Sequence, residues 1–284
     1  MSRTVYVNGE FLPEEEAKIS IFDRGFLFAD GVYEVTSVLG GKLVDFDGHC
    51  ARLSRSLGEL DMPAPVDDAE LLRIHRELVK QNGIEEGLVY LQVTRGPADR
   101  DFAYPAEPVP SLVLFTQVMN LSQSPKAAAG IKVISIEDLR WGRRDIKTVQ
   151  LLYPAMGKMA AKAEGADDAW MVEDGFVTEG TSNNAYIVTQ DGRIITRDLS
   201  NAILHGITRA AVLRFAREAQ MVVEERPFTL EEAKAAAEAF VTSATTFVTP
   251  VVSLDGVEIG GGAPGPVSRR LREIYMDECT RVAV

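Results

Sequence analysis

The chain begins with two stretches in which apolar and polar residues alternate on either side of a turn. The first is VYVNGEFLP, which turns at Asn8-Gly9, and the second is GVYEVTSVLGGKLVDF, which turns at Gly40-Gly41. Alternation with a period of two is typical of strands that bury one face, and these turn residues tolerate the positive φ angles of tight hairpins. The N-terminal part is therefore predicted to be built on an antiparallel sheet.

The apolar period then changes from strand-like to helical. Leu53, Leu57 and Leu60 recur at helical spacing after Asp47, a candidate N-cap, and residues 67–82 predict a second amphipathic helix. Two further strands follow, in LVYLQVTRG and SLVLFTQV. We expect a small α+β domain over residues 1–118.

A linker is predicted at residues 119–129, where MNLSQSPKAAA loses apolar periodicity. Residues 130–284 then mix strands with helices, which indicates a larger α/β or barrel-like domain. The predicted strands are 131–136, 168–173, 184–189, 193–197, 222–226 and 238–243, and the predicted helices lie near 154–165, 208–220, 229–237 and 265–279.

Composition excludes several classes of function. A net charge of −12 argues against nucleic acid as a partner, because its phosphates require clustered Lys and Arg. The densest basic run, residues 140–144, is interrupted by Trp141 and Gly142, so we expect a solvent-exposed loop or strand edge. No stretch approaches the roughly 20 apolar residues that span a bilayer, and the N-terminus lacks a signal-peptide pattern. These features predict a soluble cytoplasmic protein that does not bind membranes.

Cysteine and histidine are too few and too dispersed for most catalytic centres. Cys50 and Cys279 lie far apart in the sequence, and the three histidines have no spacing suited to a metal or a hydrolase triad. The glycines of residues 259–265 do not form a P-loop, so we expect a surface turn there. No metal site is predicted.

Four dispersed segments carry candidate chemistry. DIKTV at 145–149 supplies an amine in Lys147, and VTEGTSN at 177–183 supplies a carboxylate in Glu179. LHGITR at 204–209 predicts a helix start whose amides and dipole suit an anion, with Thr208 as a candidate cap. VTSAT at 241–245 places hydroxyls and amides at the end of a strand.

Together the four segments predict a pyridoxal-phosphate site: an amine that bonds the cofactor, an acid for its ring nitrogen, and two places for its phosphate. Each segment alone is also compatible with a structural role. Lys147 could be a surface lysine, Glu179 an exposed turn residue, and the helix start an ordinary capped terminus.

These segments, in this order, resemble the fold-type-IV (class IV) pyridoxal-phosphate aminotransferases, and most closely the D-amino-acid aminotransferases. The resemblance also covers RGFLFADGVYEV at 24–35, DGHCARL at 47–53, YLQVTRG at 90–96 and FVTSATTFVTP at 240–250. It implies the two-domain fold of that family, with the smaller domain first and the larger barrel-like domain second.

The resemblance also implies roles for individual residues. Lys147 would bond the cofactor and move the proton at the substrate's α carbon, and Glu179 would pair with the ring nitrogen. The remaining implied cofactor contacts are Arg52, Leu204, Ile207, Thr208, Ser243 and Ala244. Tyr33 and Arg100 would bind the substrate carboxylate, and Arg100 would reach the site of the neighbouring subunit, so a homodimer is implied.

The chain departs from the D-amino-acid enzymes at two positions. Phe102 replaces a histidine that follows the substrate-binding arginine, and Ala244 replaces a hydroxyl residue in the phosphate turn. Losing a charge-assisted hydrogen bond costs on the order of 1.5–3 kcal/mol, which can shift substrate preference without removing catalysis.

The resemblance predicts amino-group transfer between a D-amino acid such as D-alanine and a 2-oxo acid such as 2-oxoglutarate or pyruvate, by a ping-pong mechanism. Alternatives within the fold are a branched-chain L-amino-acid transaminase, an (R)-amine transaminase and aminodeoxychorismate lyase. A remote alternative is a noncatalytic anion-binding protein of the same fold.

Overall fold

The computed structural model describes residues 2–284, and the chain divides into two units. The first contains the chain up to Leu121 together with Ile146–Gln150 and Thr280–Val284, and the second contains Ser122–Asp145 and Leu151–Cys279. Lys147 thus belongs to the first unit, although it follows the predicted linker in sequence. The domain boundaries drawn from the sequence stay a prediction.

The first unit is built on a six-stranded antiparallel sheet. Its strands are β1 (Thr4–Val7), β2 (Glu10–Pro13), β3 (Gly31–Leu39), β4 (Lys42–Leu43), β5 (Glu86–Thr94) and β6 (Ser111–Val118), in the order β2-β1-β6-β5-β3-β4. Both predicted hairpins are present, and Asn8 and Gly9 turn with φ angles of 47° and 107°. The alternation of apolar residues therefore predicted this sheet correctly.

Three helices belong to this unit: α1 (Arg24–Phe28), α2 (Phe46–Glu59) and α3 (Asp68–Gln81). Asp67 caps α3 by accepting a hydrogen bond from the Glu70 amide, as its sequence position predicts. The predicted cap of α2 was wrong. Asp47 lies in the first turn, and Asp45 precedes the helix without a side-chain cap.

The second unit carries a mixed nine-stranded sheet. Its strands are β7 (Ile131–Glu137), β8 (Asp168–Glu173), β9 (Phe176–Gly180), β10 (Asn184–Val188), β11 (Ile194–Thr196), β12 (Val223–Glu225), β13 (Glu238–Ser243), β14 (Phe247–Leu254) and β15 (Val257–Glu258). Their order is β12-β11-β10-β13-β14-β7-β8-β9, with β15 paired to β14. The sheet is a curled half-barrel, which confirms the predicted barrel-like architecture.

The helices of this unit are α4 (Pro125–Ala129), α5 (Leu152–Ala163), α6 (Ile207–Glu218), α7 (Leu230–Lys234) and α8 (Pro266–Val282, whose last residues belong to the first unit). A core that includes Trp170 and Phe228 holds the sheet. Gly260, Gly261 and Gly262 turn with positive φ angles, which confirms the predicted turn. Among the described residues, no helix is long and apolar enough to cross a membrane.

Candidate active site

Lys147 lies on a short segment, residues 146–150, whose backbone is hydrogen-bonded to the first residues of β3. Its carbonyl accepts a hydrogen bond from the Tyr33 amide at 3.0 Å, and Val149 N donates to the Gly31 carbonyl at 3.0 Å. Thr148 forms an isolated bridge with Val32. These backbone contacts fix the segment, so the half-buried Lys147 side chain starts from a defined position.

Tyr33 provides the surface beneath the lysine amine. The Lys147 Nζ atom lies 4.2 Å from the centroid of the Tyr33 ring, which is within the range of a cation–π contact. Tyr33 stacks in turn on Tyr90, with ring centroids 5.6 Å apart. Lys147 and Tyr33, which the sequence singled out separately, are thus neighbours.

Arg52 is buried in an ion pair with Glu34, the residue after Tyr33. Its Nε and Nη2 atoms donate to the two Glu34 oxygens at 2.8 and 2.7 Å, and His49 Nδ1 lies 2.7 Å from Oε2. Burial alone would raise the pKa of Glu34, but Arg52 and His49 hold it at about 2. Glu34 therefore fixes the Arg52 guanidinium, while the phosphate contact of Arg52 stays a prediction.

Arg100 and Phe102 lie together on an exposed loop of the first unit. The Arg100 guanidinium is 5.4 Å from the Phe28 ring and 5.7 Å from the Phe102 ring. Buried Arg24 holds this loop by donating to the Asp101 carbonyl at 2.6 Å. The Phe102 side chain is 79% exposed.

Glu179 is the central acid of the second unit. It lies in β9 and is only 4% exposed, which rules out the exposed-turn alternative. Its Oε2 atom accepts hydrogen bonds from the Leu204 amide and from Asn184 Nδ2, both at 3.0 Å, and its Oε1 atom accepts one from Arg140 Nη1 at 2.6 Å. Burial raises the pKa of Glu179, and Arg140 opposes that rise.

Arg140 corrects the expectation for the basic run. The run was predicted to be solvent-exposed, but Arg140 is largely buried between Glu179 and Asp138. Arg144 is buried as well and pairs with Glu173. Sequence reasoning missed these roles because Glu179 and Glu173, which pair with Arg140 and Arg144, are distant from them in the chain.

Asn184 is a second residue that the sequence did not single out. Its Nδ2 atom joins Glu179 to the Leu204 carbonyl, at 3.0 and 2.9 Å. A Cβ atom at Gly206 would lie 2.1 Å from Asn184 Oδ1, so any other residue there would force the Asn184 side chain to shift. Asn184 thus connects the acid to the turn that leads into α6.

Helix α6 begins at Ile207, with Gly206 as its N-cap and no side chain capping it. Thr208 lies inside the first turn, so the expectation that it caps the helix was wrong. At the β13–β14 turn, Ser243 Oγ accepts a hydrogen bond from the Thr246 amide at 3.2 Å. Ala244 lies in this same turn, beside Ser243.

Comparison with known proteins identifies the family of this chain. Residues 31–254 match the model of the family described as amino-transferase class IV. The chain belongs to the class IV aminotransferases. It is 40% identical over 268 residues to the D-alanine aminotransferase of Bacillus licheniformis, with 94% of each chain covered, and 38% identical over 270 residues to that of Staphylococcus aureus strain N315, with 95% of each covered.

Solved structures of branched-chain amino acid aminotransferases have the same fold. A branched-chain amino acid aminotransferase from T.th., solved with pyridoxamine 5'-phosphate, aligns with a TM-score of 0.91 at 27% identity. The alignment covers 99% of this chain and 95% of that one. The fold predicted from the dispersed segments is therefore confirmed.

Class IV aminotransferases use pyridoxal phosphate, and the residues of this chain fit that cofactor. A carboxylate offers about four acceptor positions, and Glu179 fills three of them within the protein. One position is left for the N–H of a ring. The uncapped start of α6 likewise leaves backbone amides for a phosphate.

Proposed function

We propose that this class IV enzyme transfers an amino group between a D-amino acid, D-alanine above all, and a 2-oxo acid such as 2-oxoglutarate. The observation that carries the proposal is the similarity to D-alanine aminotransferases over nearly the whole chain. When bound, pyridoxal phosphate supplies an aldehyde that condenses with amines and a ring that withdraws electrons from the α carbon.

Lys147 is the proposed catalytic residue. Its Nζ atom would bond the cofactor, be released when the substrate's amino group takes its place, and then move the proton between the substrate's α carbon and the cofactor's C4′ carbon. The contact with the Tyr33 ring and the backbone bonds of the 146–150 segment support this role, because they limit where the amine can lie. A positioned base of this kind moves a proton over a short, repeatable path.

The second unit supplies the proposed cofactor contacts. Glu179 would accept the N–H of the ring and balance its charge, while Leu204 would pack on the ring face. The amides of Ile207 and Thr208, together with Ser243 and Ala244, would bind the phosphate, and Arg52 of the first unit would add a positive charge. The buried carboxylate of Glu179 and the uncapped α6 start support these assignments.

Tyr33 and Arg100 are the proposed ligands of the substrate carboxylate. We expect Arg100→Ala to raise KM for both D-alanine and the 2-oxo acid, because a guanidinium binds a carboxylate with two hydrogen bonds. The cofactor should stay bound, as judged by its absorbance. An Arg100→Ala enzyme with unchanged KM values would remove Arg100 from this role.

Arg100 is proposed to act in the site of a neighbouring subunit, so the enzyme is proposed to be a homodimer. Exposed apolar side chains of the first unit support this arrangement, since such surfaces are typical of interfaces. They include Ile21, Phe22, Phe26, Phe102, Tyr104 and Val109.

The decisive experiment is an absorbance scan of the purified enzyme with pyridoxal phosphate before and after adding D-alanine without an acceptor. Conversion of the cofactor to its amine form by D-alanine, and its reversal by 2-oxoglutarate, would support the proposal. Conversion by L-leucine alone would move the assignment to branched-chain L-amino acids, and conversion by an (R)-amine alone would move it to amine substrates.

A further inference from the structure

Arg140 connects two carboxylates that are distant in sequence. Its Nε and Nη2 atoms donate to the two oxygens of Asp138 at 2.9 and 2.7 Å, and its Nη1 atom donates to Glu179 at 2.6 Å. Asp138 is itself fixed by Thr178, whose hydroxyl donates to it at 2.6 Å. The guanidinium is therefore held at both ends and has little freedom to turn away from Glu179.

Two arginines, Arg140 and Arg144, and two carboxylates, Asp138 and Glu179, make up this buried cluster. Buried Arg144 pairs with Asp138 at 3.6 Å and also with the partly exposed Glu173. A buried charge without compensation is costly, and of these two arginines only Arg140 bonds Glu179, so the ionised form of Glu179 depends on Arg140.

The charged groups that face Glu179 are Arg140, which favours its ionised form, and Asp138, which opposes it. The other contacts of the carboxylate are the neutral donors Asn184 and the Leu204 amide. Arg140 is therefore the main offset to the burial that favours a neutral acid. Without that guanidinium, the pKa of Glu179 would rise further, which disfavours the ionised form that a ring nitrogen needs.

We propose that Arg140, anchored by Asp138, is a positioning residue that keeps Glu179 ionised and oriented to receive the ring nitrogen of the cofactor. The inference rests on the proposed role of Glu179. It assigns to the 138–140 segment a function in cofactor binding that acts through Glu179, without contact between Arg140 and the reacting atoms.

The test compares Arg140→Met and Arg140→Lys with the wild-type enzyme. The readouts are the Kd of pyridoxal phosphate and the pH dependence of that Kd, measured by fluorescence titration without substrate. Arg193→Met is a matched control, because Arg193 also bridges two carboxylates, Asp191 and Glu224, but on the exposed surface. If Arg140→Met does not fold, Asp138→Asn/Arg140→Met removes the second buried carboxylate as well and serves in its place.

We expect Arg140→Met to weaken cofactor binding about 10–100-fold near neutral pH, the range for a lost charge-assisted hydrogen bond. Binding should recover as the pH rises through the raised pKa of Glu179, and Arg140→Lys should restore most of the affinity. In a Glu179→Gln background, Arg140→Met should have little further effect, because the acid that it controls is absent.

An Arg140→Met variant with the Kd and pH profile of Arg193→Met would overturn the inference, as would an effect that simply adds to that of Glu179→Gln. Failure of the wild-type enzyme to bind pyridoxal phosphate at all would instead contradict the proposed function, so the two failures can be distinguished.

Discussion

At the scale of single residues, neighbouring side chains determine what each functional group can do. Lys147 is one of many lysines in the sequence, but its amine lies over the Tyr33 ring. Glu179 is one of many acids, but it is buried and bonded to three donors. The residue type thus supplies the chemical group, and the contacts of each residue determine which lysine and which acid can act in the site.

Replacing Lys147 tests the catalytic assignment directly. We expect Lys147→Ala to lower kcat for D-alanine by about 10²–10⁴-fold, the usual contribution of a positioned acid–base group, or more, since the covalent bond to the cofactor is lost as well. Stopped-flow absorbance checks the half-reaction. Lys162→Ala, at an exposed position in α5, should retain wild-type rates; comparable rates in both variants would show that Lys147 is not the catalytic amine.

At the scale of elements, α3 shows how packing changes the properties of a polar side chain. His75 lies on the buried face of this helix, where its Nδ1 atom is 2.7 Å from the Leu71 carbonyl and its ring packs edge-on against Phe46. Burial lowers the pKa of His75 to about 4, although the hydrogen bond to Leu71 opposes this shift. The helix therefore packs best while His75 is neutral.

This shift predicts an acid dependence of stability. Because the folded pKa of His75 is about 4 and the unfolded value is near 6.5, the unfolded chain binds the extra proton between these pH values. The free energy of unfolding should therefore fall by about 3 kcal/mol as the pH decreases from 6.5 to 4. Urea unfolding of His75→Gln should lack this part of the dependence, and an identical pH profile in both proteins would contradict the assignment.

The end of β5 provides a second test at this scale. Gly96 has a φ of +88°, and a Cβ atom there would lie 1.8 Å from the Val109 carbonyl oxygen. Gly192 has a similar φ of +83° with open space around it. We expect Gly96→Ala to lower the free energy of unfolding by more than Gly192→Ala does. The Gly192→Ala variant suffers only backbone strain, of about 1–2 kcal/mol. Equal losses in thermal or urea unfolding would show that the contact with Val109 relaxes freely.

At the scale of the whole molecule, the proposed exchange of Arg100 between subunits can be tested by complementation. Lys147→Ala and Arg100→Ala should each be impaired, but a mixed dimer contains one site with both residues intact. Random mixing after unfolding and refolding should therefore restore up to about a quarter of the wild-type sites. Activity that never exceeds the sum of the separate variants would show that each site uses its own Arg100, and light scattering gives the size of the assembly.

The elements of the fold were largely predictable because they depend on local signals. The Asn8-Gly9 turn, the Asp67 cap and the alternation in β5 all act over a few residues, which the sequence displays directly. The start of α2 was missed because Asp45 precedes it without a side-chain cap. The cofactor segments were recognised as a set, since four separate segments match one family in one order.

The sequence by itself determined the strand and helix pattern, the family and the residue types that a pyridoxal-phosphate enzyme requires. Only the tertiary structure decided that Arg140 is a buried partner of Glu179 and that Asn184 connects Glu179 to the start of α6. The physical reason is that periodicity and turn chemistry are local, whereas burial and ion pairing depend on residues brought together from distant parts of the chain. Arg140 and Glu179 are 39 positions apart, and nothing in either segment alone indicates the other.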